Sequence, residues 1–247
     1  MKKINFLFNF IGILLLFLIW EGIALGTKEA VVPEFFSCFY STCLLLGKSY
    51  VWEALGRTIL KAFLALLISG VFGSLLGLVA GYHNWLRKIL GPSLTLLKSV
   101  PTIALVLLFI VYVPHFEIYV IAIVLFPLFF EAAYEGSNRV YREYHYLLIL
   151  NGKNRLNNIT KVLLPLSAPS WMMGLLQSVS LSLKIAVMAE VFSYSAKELG
   201  IGNLIYQAYS NVEYHTLMAY VLLILFIGLI LDGLLYLLSN LVKKNVE

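Results

Sequence analysis

The sequence predicts an all-α polytopic membrane protein with about six transmembrane helices, and three observations predict it. First, 61% of the 247 residues are hydrophobic and 13% are charged, against about 45–50% apolar and about 25% charged in a soluble domain. A mean hydropathy of +0.89 excludes a disordered chain and argues against a soluble globule with one core. Second, the apolar residues fall into long runs near the ~20 residues that carry a helix across a bilayer. Third, these runs lack the apolar/polar alternation of membrane strands.

The spans follow in order. Residues 6–25, after Lys2 and Lys3, form the first. Ala24 and Gly26 resemble a signal-peptidase site, but the run exceeds an ordinary signal core of about 7–15 residues, so a retained helix is expected. The second covers 63–82 and carries Gly70, Gly73, Gly77 and Gly81 at spacings of three, four and four. Such a stripe lets a neighbouring helix pack closely. The third covers 89–113, where Pro101, after Lys98, Ser99 and Val100, predicts a kink or break. The fourth covers 118–130 and continues toward Gly136, the fifth 171–194, and the sixth 217–241. The two cysteines, Cys38 and Cys43, have neither zinc nor CxxC spacing and are read as bystanders.

The charge of +5 is read as topology rather than as affinity for nucleic acid. Lys2 and Lys3, Arg87 and Lys88, the basic residues of 139–161, and Lys243 with Lys244 fall on one side of the predicted membrane. That side is the cytoplasm, with both termini inside. Lys28, Lys48 and Lys197 fall outside. No internal repeat supports an inverted-repeat carrier.

Ionisable groups within spans are functional candidates. Lys98, Pro101, Lys184, Met188 and Glu190 are the expected lining of a translocation pathway, and Asp232 is a further charge within a span. Gly47-Lys48-Ser49 imitates the end of a P-loop, but Thr42 stands where the first glycine belongs. No HExxH, GxSxG or metal-spaced cluster appears, so the chain is not read as an enzyme and carries no cofactor of its own.

The loop 141–165 is long and patterned. A short helix runs to Asn151, Gly152 suits a left-handed turn, and a second short helix carrying Lys153, Arg155 and Lys161 ends near Pro165. A helical knob facing the cytoplasm is a handle for a separate motor.

Gly152 followed by Val162, Leu164 and Pro165 resembles the EAA loop of ABC-importer permeases, which ends in Gly, nine residues and Ile-x-Leu-Pro. Tyr146, Leu147 and Leu148 stand where that motif has Glu-Ala-Ala, and a literal Glu131-Ala132-Ala133 is out of register. Lys98 through Ala104 resembles the proline-containing turn of the nitrate/sulfonate/taurine-type permeases. Phe126-Pro127, Ala189-Glu190, Glu198-Leu199-Gly200-Ile201-Gly202 and Leu231-Asp232 are similar to the same family in the same order. The likeness covers about 50–240 of a single permease domain, 1–247.

The resemblance implies a permease subunit in the plasma (inner) membrane. It would pair as a homodimer or with another permease, bind two ABC ATPase subunits that carry ATP and Mg, and receive solute from an extracytoplasmic binding protein. It also implies that Tyr146, Leu150, Gly152, Lys153, Asn154, Arg155, Leu164 and Pro165 form the ATPase-coupling loop. The implied cargo is a small anion such as nitrate, bicarbonate, taurine or another sulfonate, or a vitamin or vitamin precursor. The alternative is a self-sufficient secondary transporter or channel driven through the intramembrane charges. An integral-membrane enzyme is a third reading, which the missing catalytic cluster disfavours.

Overall fold

In a computed structural model of the chain, helices carry almost every described residue. The structure describes residues 2–26, 32–150, 155–193 and 199–244, without the side chains of 2–10, 13, 149, 150, 155, 156 and 238–244. In chain order the helices are α1 (Lys2–Gly26), α2 (Phe35–Leu46), α3 (Ser49–Tyr82), α4 (Asn84–Ser99), α5 (Thr102–Tyr112) and α6 (Phe116–Glu143). They continue with α7 (His145–Leu150), α8 (Arg155–Asn158), a π-helical turn (Ile159–Leu163), α9 (Leu164–Phe192), α10 (Ile201–Ser210) and α11 (Tyr214–Lys244).

Four continuous stretches are long and apolar enough to cross a membrane: Ser49–Tyr82, Phe116–Glu143, Ile159–Phe192 and Tyr214–Leu237. Helix α1 adds a further apolar helix of 25 residues. The third predicted span is not one helix. Instead α4 and α5 meet at 92°. Val100 is extended and the Pro101 nitrogen has no proton to donate, so the helix cannot continue through them. Alone, the 11 residues of α5 reach only about 16 Å, well short of the ~30 Å hydrocarbon core.

The bundle is built around α6, with α3 on one side and α9 on the other. Close approach makes the α3–α6 seam possible. A Cβ on Gly77 would lie 2.3 Å from Phe130 O, and one on Gly73 would lie 2.9 Å from Phe129 Cβ. Gly81 sits against Ser137 in the same way, while Gly70 has more room, with the Phe129 ring 3.6 Å away. Dispersion over such a flat stripe holds helices together where lipid removes the hydrophobic driving force. The Ser137 hydroxyl adds a hydrogen bond to Leu78 O at 2.9 Å.

Two helices were not expected from the sequence. The run forming α2 has only 12 residues, too few to span. It packs on α11, where Thr42 donates to Ala219 O at 3.2 Å. Helix α10 closes the same end of the bundle, with Ile201 and Leu204 packed against Val51 and Leu55 of α3.

Candidate functional site

At the α10 end, three charged side chains from three helices meet. Lys61 of α3 lies 3.1 Å from Glu117 of α6 and 3.3 Å from Glu190 of α9. All three are buried, Glu190 wholly so. The Thr58 hydroxyl donates to Glu190 Oε2 at 2.8 Å, and Gly202 N–H donates to the same oxygen at 3.1 Å. Ile201 N–H donates to Thr58 Oγ1 at 3.0 Å. Asn203 Nδ2 donates to Glu190 O at 2.6 Å, and Asn203 Oδ1 accepts from Gly200 N–H at 2.8 Å.

A carboxylate at a helix start satisfies backbone donors that have no partner within the helix. This explains why glycines stand at 200 and 202. A Cβ on Gly200 would fall 2.1 Å from Glu190 Oε1, and one on Gly202 would fall 2.3 Å from Val187 O. The cluster therefore ties α3, α6, α9 and α10 together by charge. A buried ion pair breaks at about 3–5 kcal/mol when one partner is removed.

Of this cluster, the sequence motifs include Glu190 and Gly200-Ile201-Gly202. They do not include Thr58, Lys61, Glu117 or Asn203. A signal existed, because Thr58, Ala62, Ala65, Ser69, Gly73 and Gly77 recur every three or four residues. All are buried along one face of α3. Lys61 lies on that face, inside a continuous helix rather than before its start.

At the opposite end, α6 runs out to Glu143 and α7 turns away. Leu148 and Leu163 are buried against Val140, with Tyr82, Tyr141, Tyr144, Ile159 and Val162 around them. Asn158 Nδ2 donates to Leu148 O at 3.2 Å, which ties α8 to α7. The opposite face of α7 is open: Tyr146 is 84% exposed and Leu147 60%. The result is an apolar and aromatic tip on an anchored base. After α8, Leu164 N–H bonds to Ile159 O five residues back, and Pro165 starts α9 without a donor. Leu164 and Pro165 are exposed. Gly152, Lys153 and Asn154, and the side chains of Leu150 and Arg155, lie outside the described residues.

The remaining expected pathway residues do not share one site. Lys98 pairs with Glu131 at 3.1 Å, and Arg87 joins the same oxygen at 2.8 Å, so α4 is tied across α6. Pro101 forms the corner between α4 and α5. Met188 packs against the core shared by α3, α5, α6 and α9. Lys184 is exposed and lines a cavity with Ser180 and Asp232, between α9 and α11.

Residues 69–244 match the family described as the binding-protein-dependent transport system inner membrane component. The chain is 25% identical to SsuC of Bacillus subtilis, named for aliphatic sulfonate transport, over 92% of this chain and 83% of that protein. It is 26% identical to a protein of Methanocaldococcus jannaschii named as an ABC transporter permease, over 88% of this chain and 84% of that one. Among solved structures, inward-facing forms of the MetNI methionine ABC transporter share the fold. One superposes with a TM-score of 0.60 at 18% identity, covering 80% of this chain and 94% of that chain. A second crystal form gives a TM-score of 0.61.

Proposed function

The chain belongs to the binding-protein-dependent transport system inner membrane components, the permease family of ABC importers, and from that premise we propose how it works. Two permeases, as a homodimer or a pair of related chains, enclose the translocation pathway. Two ABC ATPase subunits carry ATP and Mg, and an extracytoplasmic binding protein brings the solute. The protein lies in the plasma (inner) membrane with both termini in the cytoplasm, so the α7 end faces the cytoplasm and the α10 end faces outward. The distribution of Lys and Arg supports this orientation.

One observation carries the reading: an exposed tip, Tyr146 and Leu147, stands on a base packed into the ends of α6 and α9. An apolar tip facing water fits a groove on another protein better than it fits solvent. A push on that tip passes through Val140 and Leu163 into two spanning helices. ATP-driven closure of the motors would thus reorient α6 and α9, and with them the pathway. Tyr146 replaces the acidic residue of the family motif, so this contact relies on stacking and apolar area rather than charge.

For the solute, we favour a small anion, with sulfonates first. The aliphatic-sulfonate name of the Bacillus subtilis relative supports this choice. The experiment is uptake into proteoliposomes holding the permease, its ATPase and its binding protein. Accumulation of a labelled sulfonate that needs ATP and both partners supports the proposal. Accumulation by the permease alone, driven by a proton or sodium gradient, would favour a self-sufficient carrier.

A further inference from the structure

Helix α4 carries Arg87, Lys88 and Lys98 and no acidic residue. Its Leu94 is buried against Ala80 of α3 and Phe130 of α6, and Leu86 and Leu90 pack on the same cluster. Ala80 lies two residues before the end of α3, where Tyr82 joins the cluster beneath α7. So α4 sits at the α7 end of the bundle. The start and the middle of the helix touch the same level of α3 and α6, and the 92° corner at Pro101 separates its direction from that of α5. It therefore crosses the spanning helices instead of following them, as a helix lying in the membrane plane does.

The exposed sides of α4 differ. Asn84, Lys88, Thr95 and Ser99 recur at helical spacing along one of them, and all are exposed. Trp85, Ile89 and Leu96 line the neighbouring one, at 59%, 62% and 67% exposure. Among the described residues, Glu131 is the only carboxylate paired with α4, and Arg87 and Lys98 share it. One positive charge is left over there, and Lys88 makes no ion pair with any described residue. A second copy of this helix would bring the same cations and no acid, so it is a poor match for itself. Cations beside an exposed tryptophan and two aliphatic residues match an anionic headgroup and its acyl chains. We propose that α4 is an in-plane helix that binds anionic phospholipid of the cytoplasmic leaflet. Lys88 and the surplus cation beside Glu131 hold the phosphate, and Trp85, Ile89 and Leu96 lie against the chains. The bound lipid keeps the Pro101 corner, and with it α5, at one depth. The choice of leaflet, where the anionic surface potential lies, rests on the orientation proposed above; the preference for an anionic headgroup does not.

The test uses the full chain in vesicles of equimolar phosphatidylcholine and phosphatidylglycerol. Cys43→Ser removes the exposed thiol, and Cys38 is buried. Ser93→Cys, at an exposed position of α4, carries a small fluorophore. Bromine, a contact quencher, is placed on the acyl chains of one lipid or of the other while the mixture stays the same. The expected result is stronger quenching when phosphatidylglycerol carries the bromine, with a local excess of about fivefold or more over phosphatidylcholine. Lys88→Gln should lower that excess about fivefold, the share of one lysine at an anionic surface, and Lys88→Arg should keep it.

Equal quenching by the two lipids would overturn the proposal, as would an excess that Lys88→Gln leaves unchanged. Absence of quenching by either lipid would also overturn it, because water or a second chain would then cover α4. Orientation is read separately, in intact cells, with a membrane-impermeant thiol reagent. It should label Lys48→Cys and not Ser93→Cys, each in the Cys43→Ser chain. The reverse pattern would overturn the proposed orientation and the choice of leaflet, while the vesicles still decide the headgroup preference, so the two failures are told apart.

Discussion

Replacing Lys61 by methionine keeps most of the side-chain stem and removes only the ammonium. The structure sets the consequence. The Lys61 side chain is 10% exposed, and its two partners, Glu117 and Glu190, are 6% and 0% exposed. Each carboxylate loses its cation, and the two then face each other in a buried setting. At an effective dielectric near 20, two like charges ~6 Å apart repel by about 3 kcal/mol. The lost attraction is largely offset because the ammonium no longer has to be desolvated, so the net cost falls in the ~3–5 kcal/mol range measured when one member of a buried pair is removed. For a chain of this size 1 kcal/mol corresponds to about 2–4 °C, so Lys61→Met should lower the melting temperature by roughly 6–20 °C. The assay is thermal unfolding in mild detergent, followed by tryptophan fluorescence and by the monodisperse fraction on gel filtration. Adding Glu190→Gln should restore part of the loss, since the amide oxygen still accepts from Gly202 and the repulsion is gone. A single variant within ~1 °C of wild type, or strictly additive single and double variants, would refute the reasoning.

Three further outcomes follow from the same geometry. Gly77→Val drives a Cβ into Phe130 O, at 2.3 Å before any shift. It should cost about 3 kcal/mol or more, the range of overpacked cores, read as lost monodispersity. Gly152→Val resists the left-handed turn expected between α7 and α8. ATP hydrolysis should continue in its complexes while uptake falls, or the ATPase should be lost; normal coupled uptake would contradict the turn. Tyr146→Ala deletes the exposed tip of α7. It should weaken ATPase binding by about 2 kcal/mol or more, the scale of an aromatic hot spot, without changing permease stability. Pull-down and melting curves on one preparation separate these effects.

How much of this was legible in the sequence depends on how local the cause is. The break at Pro101 is a backbone effect of one residue and its predecessor, and the sequence states it directly. The 92° angle between α4 and α5 is not local. It goes with contacts to other helices: Arg87 and Lys98 of α4 reach one oxygen of Glu131 on α6, while α5 packs on α6 and α9. The glycine stripe was visible because its spacing is periodic, but its partner, α6, was not. Lys61 was passed over because a charge looks like the end of an apolar run. In the folded chain it is interior, since two carboxylates from helices distant in sequence surround it. Helix α2 escaped notice because its 12 residues resemble a connecting loop when length is judged against a bilayer. The expected coupling loop rests on the Gly152 and Leu164-Pro165 spacing, which is local in the sequence. The anchoring of α7 and α8 through Leu148, Leu163 and Asn158 depends on long-range packing and comes only with the fold.

The central claim is that this chain works as the membrane half of an ATP-driven importer. It is tested most directly by affinity purification in mild detergent, with gentle crosslinking at α7 and mass spectrometry of everything retained. The account predicts a second permease and a stoichiometric ABC ATPase, crosslinked through the segment that carries Tyr146. A single chain, active in uptake and free of any ATPase after crosslinking, would contradict it.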